Sequence, residues 1–236
     1  MKNNNWFHSI IIALAIVLAG YFIGNTLVKS KRYERSVQVK GLAEQEVKAD
    51  LAVWPIQISL TGNNLSTLKT RIEQQKGKVK EFFVKQGFEG EEFNIGVTNI
   101  HDTRTDVYNN NAQNFEFRYI AQTDFTIRSN DIEKLQESLS ASQELLAEGI
   151  LISSKNTWQP VQYIYTKLNS IKPAMVEEAT KNAREVAEKF ARDSGSKVGK
   201  IKSARQGIFS ISDRDQNTPE IKNVRVVSTI DYFLED

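Results

Sequence analysis

The feature that most constrains this chain is an uncharged apolar segment close to its N-terminus. Residues 6–28 contain no Lys, Arg, Asp or Glu, and residues 10–23 are almost wholly aliphatic or aromatic. About 20 consecutive apolar residues suffice to cross the hydrocarbon core of a bilayer as a helix. We therefore predict a membrane anchor with a basic flank in residues 1–35, whose transmembrane helix includes Ile10, Leu14, Leu18 and Phe22.

A cleaved signal peptide and a buried core helix are the alternatives to an anchor. The apolar core of a signal peptide spans about 7–15 residues and precedes a small-x-small cleavage site. The Ala-x-Ala pattern of this chain, Ala13 to Ala15, lies inside the apolar run, and the run has no amphipathic periodicity. The pattern therefore favours an uncleaved anchor over both alternatives.

The charges that flank the segment bear on its orientation. Lys29, Lys31, Arg32 and Arg35 follow it, whereas Lys2 and the amino terminus precede it. The positive-inside rule places the more basic flank in the cytoplasm. By charge alone, the C-terminal side of the chain would therefore be cytoplasmic.

Composition restricts what the rest of the chain can do. The chain has no cysteine and two histidines, which excludes disulfides, thiolate catalysis and Cys-ligated metal centres and leaves little for a His-based site. Five of the 31 Lys and Arg and one of the 29 Asp and Glu lie in residues 1–35, so residues 36–236 carry a formal net charge of −2. Because a nucleic-acid-binding surface needs a basic surplus, we predict no nucleic-acid partner.

Hydrophobic patterns predict an α+β fold for residues 36–236. Strands are predicted at 36–41, 49–60, 97–105, 115–128, 150–152, 158–165, 200–207, 208–212 and 224–234. Helices are predicted at about 65–87, 132–149 and 173–194. Because strands and helices do not alternate in a long series, we expect one domain with a mixed, mainly antiparallel sheet and about three packed helices.

Individual residues sharpen this prediction. Pro55 inside a strand pattern indicates an edge position or a bulge, and Pro173 suits the first turn of the long helix. Polar residues 213–222 indicate a mobile connection. The long helix is expected to end at Gly195 and to bury Val176, Ala179, Ala183, Val186, Ala187 and Phe190.

The residues that could carry chemistry do not form a recognisable catalytic constellation. His101 and Asp102 are neighbours on a predicted strand, which places their side chains on opposite faces of the sheet. No spacing fixes a ligand geometry among the carboxylate clusters, which are Glu91 and Glu92; Glu44, Glu46 and Asp50; and Asp213 and Asp215. The strand aromatics Trp54, Trp158, Tyr163 and Tyr165 would line either a ligand groove or the core. We therefore expect no enzyme activity, no cofactor and no metal.

Three segments carry motifs that occur together in one family. The first is Val37-Gln-Val-Lys-Gly-Leu-Ala-Glu-Gln-Glu-Val-Lys-Ala-Asp50, with Gly41, Glu44 and Asp50 at its motif positions. The second is the alanine-spaced helix with Ala183 and Ala187, followed by Gly195 and Gly199, and the third is the closing strand at 224–234. In this order they resemble the SIMPL-domain family of unknown function over about residues 36–236. We interpret these motif positions as structural.

The resemblance implies a location and a role. SIMPL-domain proteins of Gram-negative bacteria are exported to the periplasm or anchored in the inner membrane, and they include a ring-like oligomer and a member linked to oxidative stress. The resemblance therefore implies a periplasmic domain, against the flanking charges. We expect an inner-membrane-anchored, homo-oligomeric, structural or stress-related module. The alternatives are a small-ligand or peptide-binding module and a carboxylate-dependent hydrolase.

Overall fold

The computed structural model describes residues 5–32, 35–105, 116–154 and 160–236. It contains two β-sheets. The helices are α1 (Asn5–Arg32), α2 (Leu65–Lys85), α3 (Ile132–Ala141), α4 (Gln143–Ala147) and α5 (Leu168–Asp193). The strands are β1 (Ser36–Lys48), β2 (Leu51–Gly62), β3 (Phe93–Asp102), β4 (Tyr119–Ser129), β5 (Ile152–Ser154), β6 (Gln162–Ile164), β7 (Lys197–Gln206), β8 (Ser210–Asp213) and β9 (Ile221–Glu235). The chain divides into two compact units. Unit 1 comprises residues 1–45, 169–212 and 223–236, and unit 2 comprises residues 46–168 and 213–222.

Unit 2 contains a five-stranded sheet with the order β3-β4-β2-β5, in which β6 also pairs with β2. Its strand pairs are antiparallel. Alternate residues of β2, including Trp54, Ile56 and Ile58, are buried in the core with Phe125 and Ile127 of β4. The helical face that joins this core is that of α2, with Leu68, Ile72, Val79, Phe82 and Phe83. Alternation in the strands and helical periodicity in α2 thus meet in one apolar core.

Unit 1 contains a four-stranded sheet with the order β1-β9-β7, in which β8 also pairs with β9. Every fourth residue of α5 is buried, namely Met175, Ala179, Ala183, Ala187 and Ala191. Ala183 and Ala187 share a core with Val39 of β1 and with Ile230 and Tyr232 of β9. Because four of the five buried helical residues are alanines, the helix backbone can lie close to the strands.

Helix α1 carries the residues predicted to cross a membrane. Ile10, Leu14, Leu18 and Phe22 are between 48% and 64% exposed. Among the residues that the structure describes, no helix is both long and apolar enough to span a bilayer. The anchor in residues 1–35 stays a prediction.

The α+β class and the antiparallel pairing are confirmed, but the strands form two sheets instead of one. Strand pairing is set by contacts between distant residues, which hydrophobic periodicity does not specify.

Pro55 also differs from the prediction, because β2 is an inner strand. Pro55 lies between the stretches of β2 that pair with β5 and β6, and Ser154 Oγ donates to its carbonyl oxygen. Its missing N–H is therefore not required by either of these two short strands, since neither pairs with β2 at Pro55.

The predicted helices also need correction. The segment expected as one helix over 132–149 is divided at Ser142, whose Oγ donates to the Leu139 carbonyl and competes with helical bonding. Helix α5 begins at Leu168, so Pro173 lies inside it. Phe190 is 57% exposed, because Ala191 takes the buried position one residue further along.

Candidate functional site

Gly41 marks a close approach between β1 and α5. A Cβ atom added there would collide with the carbonyl oxygen of Ala179 and would lie 2.5 Å from the backbone nitrogen of Ala183. Asn182 of α5 donates from Nδ2 to the Leu42 carbonyl at 2.7 Å. Strand and helix are thus in backbone contact where the glycine and alanine motifs meet.

The two glycines after α5 have different roles. Gly195 adopts a φ of +68°, and the Ser196 N–H beyond it donates to the Ala191 carbonyl at 2.8 Å. This geometry satisfies a carbonyl at the helix end and favours glycine. A Cβ at Gly199 would lie 2.5 Å from Oε1 of Glu235, the end of a flexible side chain. Steric pressure at Gly199 is therefore milder than at Gly41.

Glu44, the next motif residue, lies on the surface of unit 1. Its Oε1 is 3.3 Å from Nη1 of Arg225, and both side chains are about half exposed. An exposed ion pair of this kind contributes about 0–1 kcal/mol to stability.

Asp50 joins two segments of unit 2. Its carboxylate accepts hydrogen bonds from the backbone N–H of Thr166 at 2.7 Å and from Thr166 Oγ1 at 2.8 Å. Asn130 Nδ2 donates to the Asp50 carbonyl. Burial alone would raise the pKa of Asp50, but the Thr166 hydrogen bonds and the charge of Lys167 outweigh it and lower the pKa. Asp50 thereby ties the β1–β2 corner to the segment that precedes α5.

We expect Asp50→Asn to lower the free energy of unfolding by about 2 kcal/mol at neutral pH, because the amide replaces an acceptor oxygen with a donor that faces Thr166. The folded-state pKa of Asp50 is depressed, so its contribution is present above the unfolded pKa and is lost as pH falls through the folded pKa. Urea unfolding of wild type and variant should therefore differ at about pH 7, and the difference should shrink as the pH falls through the folded-state pKa of Asp50. Asp193→Asn, at the exposed end of α5, is the control, and a loss of stability equal to that of Asp50→Asn would contradict a specific role for Asp50.

His101 and Asp102, neighbours on β3, lie in different environments. Asp102 accepts hydrogen bonds from Arg118 Nε at 3.0 Å and Nη2 at 2.8 Å, and these lower the pKa of Asp102. His101 is exposed and lies opposite Ile120 in the strand register, whereas Asp102 lies opposite Tyr119. Alternation thus separates the histidine from the carboxylate, as the sequence predicted.

The segment 213–222 contains a hydrogen-bonded turn. The Asp215 carboxylate accepts from the Thr218 hydroxyl, from Arg214 Nε and from the backbone N–H groups of Asn217 and Thr218. These hydrogen bonds lower the pKa of Asp215 to about 2, and the bond from the Thr218 hydroxyl has the largest effect. Arg214 also contacts Glu46 at 3.4 Å. Asp213 contacts Lys222, so both candidate carboxylates of this segment are engaged in local structure.

The other carboxylate cluster also has structural partners. Glu92 accepts from Ser129 Oγ at 3.0 Å and from Lys134 Nζ at 2.9 Å, while Glu91 is exposed. Within the described ranges, no group of three or more His, Asp or Glu side chains is arranged to hold a metal ion.

Two of the four strand aromatics lie in the core. Trp54 is 2% exposed and Tyr163 is 9% exposed, and both lie in the core of unit 2. Tyr165 is half-buried, and Trp158 lies outside the described residues. A shallow depression of about 580 Å³ is lined by Ser66, Lys69, Thr70, Glu73 and Gln74, all on α2. Because these side chains all come from the solvent-exposed face of one helix, they do not converge on a ligand.

The sequence analysis did not identify which strands lie at the ends of their sheets or how two of these strands, β3 and β7, differ in charge. In the described part of the chain, β3 ends the sheet of unit 2 and β7 ends the path β1-β9-β7 of unit 1. β3 exposes Val97 (80%) and Ile100 and contains no Lys or Arg, whereas β7 contains three lysines and an arginine. The charge distribution along the two strands was the available signal, but edge positions cannot be assigned without the sheet order.

The family of the chain follows from its sequence as a whole. The model of the SIMPL family, described as a protein of unknown function (DUF541), matches residues 37–228. No curated protein matches the chain. The matched region runs from β1 into β9 and includes Gly41, Asp50 and the alanine face of α5. The chain therefore belongs to the SIMPL family.

Proposed function

We propose that this chain is a membrane-anchored, self-associating module of the cell envelope with a structural or stress-related role and no catalytic activity of its own. The observation that carries the proposal is the surface of α1. Ten large apolar side chains between Ile10 and Ile23 are 48–71% exposed. A contiguous apolar surface of this kind is unfavourable in water and is typical of a contact with lipid or protein. A bilayer would remove all of it from water at once.

The proposed location is the inner membrane, with the folded region in the periplasm. The resemblance to exported SIMPL-domain proteins supports this orientation, whereas Lys29, Lys31, Arg32 and Arg35 favour the opposite one. Fusions after Asp236 distinguish the two. Alkaline phosphatase activity with no fluorescence from a green fluorescent protein fusion is the expected result, and the reverse pattern would contradict a periplasmic domain.

Anchoring is tested by placing charges in the apolar segment. A charged residue at the centre of a transmembrane helix opposes insertion by about 2.5–3.5 kcal/mol. We expect the wild-type chain to stay with membranes in alkaline carbonate and the Leu14→Arg/Leu18→Arg variant to be released. The matched control is Leu146→Arg/Leu151→Arg, which adds the same charges at exposed apolar positions of unit 2. Release of the wild-type chain, or of the control to the same extent as the variant, would contradict the anchor.

Self-association is measured on the full-length chain in detergent by light scattering coupled to size exclusion. A discrete oligomer is the expected result. A monomer that is thermally stabilised by an envelope component would instead favour a ligand- or peptide-binding module.

A further inference from the structure

In the described residues, strand β3 ends its sheet and lacks the basic side chains that protect many sheet edges against pairing. Natural sheets protect their edges with charged side chains, especially lysine, because an uncovered edge presents unpaired N–H and C=O groups to other strands. β7 has this protection in Lys197, Lys200, Lys202 and Arg205. β3 has a single charged residue, Asp102 at its last position, and Asp102 is engaged by Arg118.

The side chains of β3 add apolar surface to this weakly charged edge. Val97 is 80% exposed and Ile100 is 38% exposed. Their neighbours Asn94 and Asn99 are exposed and uncharged. Over its length, β3 therefore combines β-branched side chains and a low charge with an outer edge on which the structure places no strand in the described residues.

We propose that β3 pairs with β3 of a second copy of this chain, in an antiparallel arrangement about a two-fold axis near the middle of the strand. The inference rests on the proposed self-association and assigns a surface to it. Edge-to-edge pairing would supply backbone hydrogen bonds and join the two five-stranded sheets of unit 2 into one. A two-fold contact uses the same surface on both copies, so it closes as a dimer and does not extend into a filament.

Charges at the ends of β3 are complementary in this arrangement. Glu89 and Glu91 precede the strand and are exposed, whereas Arg104 follows it in the 3-10 turn Thr103–Thr105 and is also exposed. Arg118, 41% exposed at its side chain, lies beside the same end of the strand. Antiparallel pairing brings the start of one strand to the end of the other, so acidic residues of each copy approach basic residues of its partner. Parallel pairing would instead bring like charges together.

A bulge places Val97 at the centre of the contact. The register with β4 shifts between Ile95 and Thr98, so Gly96 and Val97 together oppose Asp124. Gly96 permits this shift, because a Cβ there would lie 3.1 Å from the Asp124 carbonyl oxygen. Val97 thus stands out from the sheet near the middle of β3, where a two-fold axis would bring both copies of the residue together.

Val97→Lys tests the proposal by giving β3 the protection that β7 has. The full-length chain in detergent is expected to show at least a twofold lower mass by light scattering, with an unchanged circular dichroism spectrum, because Val97 is exposed. Ile208→Lys, at an apolar position that is 93% exposed between β7 and β8, is the matched control and should keep the wild-type mass. A wild-type oligomer whose mass Val97→Lys leaves unchanged would overturn the β3 contact but not self-association. A monomeric wild type would overturn both.

Cross-linking gives a second readout that does not depend on a loss of assembly. The chain has no cysteine, so a single Val97→Cys residue can form a disulfide only between copies. Mild oxidation in membranes should convert most of this variant to a covalent dimer and leave Ile208→Cys largely monomeric. Equal cross-linking of the two variants, or none in Val97→Cys, would contradict pairing through β3.

Discussion

Gly41→Ala should lower the free energy of unfolding by about 3 kcal/mol or more, which makes it one of the two most damaging substitutions we expect. The added Cβ would collide with the Ala179 carbonyl oxygen and would lie 2.5 Å from the Ala183 nitrogen and 2.8 Å from the Ala183 Cβ. Two of these atoms belong to the helix backbone and cannot rotate away. Relief therefore requires β1 and α5 to separate, which would open the core they share with Ile230 and Tyr232.

Gly77→Ala is the matched control for this prediction. Gly77 lies inside α2, and a Cβ added there would meet nothing within 4 Å. Alanine is favoured over glycine in a helix interior by about 0.5–1 kcal/mol, so this variant should be slightly more stable than wild type. Urea unfolding of the full-length chain in detergent, followed by far-ultraviolet circular dichroism, measures both. A Gly41→Ala variant within 0.5 kcal/mol of wild type would show that the contact is not needed for stability.

Features that depend on neighbouring residues were predictable from the sequence. The alternation from Tyr119 to Ile127 lies in β4, and the predicted strands at 97–105 and 115–128 overlap the paired strands β3 and β4. Two of the three predicted helix starts, at residues 65 and 132, have side-chain caps: Asn64 accepts from the Thr67 N–H, and Asp131 accepts from the Lys134 N–H. Local hydrogen bonds and side-chain periodicity are encoded within a few residues, so the sequence alone is sufficient for them.

Features that depend on distant residues were not predictable. Gly41 was interpreted as a structural position, but its partner in α5 is about 140 residues away, and only the fold brings the two together. Pro55 fits an inner strand because neither β5 nor β6 pairs with β2 at this residue. The proposed contact at β3 also depends on distant residues. The low charge of β3 suggests a contact only because the sheet order places this strand at an edge.

Phe83→Ala should destabilise unit 2 as strongly as Gly41→Ala destabilises unit 1. Phe83 is 0% exposed, and its ring lies 5.0–6.0 Å, centroid to centroid, from four other aromatic rings. Those rings belong to Trp54, Phe82, Phe88 and Phe93. The edge-to-face geometry with Trp54 and the stacking on Phe93 add to the burial of the ring itself.

Truncating a buried phenylalanine to alanine costs about 3–5 kcal/mol, because the transfer energy of the ring is lost and a cavity remains. We expect a loss in this range for Phe83→Ala by urea unfolding of the full-length chain in detergent. Phe190→Ala removes the same atoms from a side chain that is 57% exposed, and it should cost less than about 1 kcal/mol. Comparable losses for the two variants would mean that Phe83 is not the centre of the aromatic core, because burial would then not distinguish them.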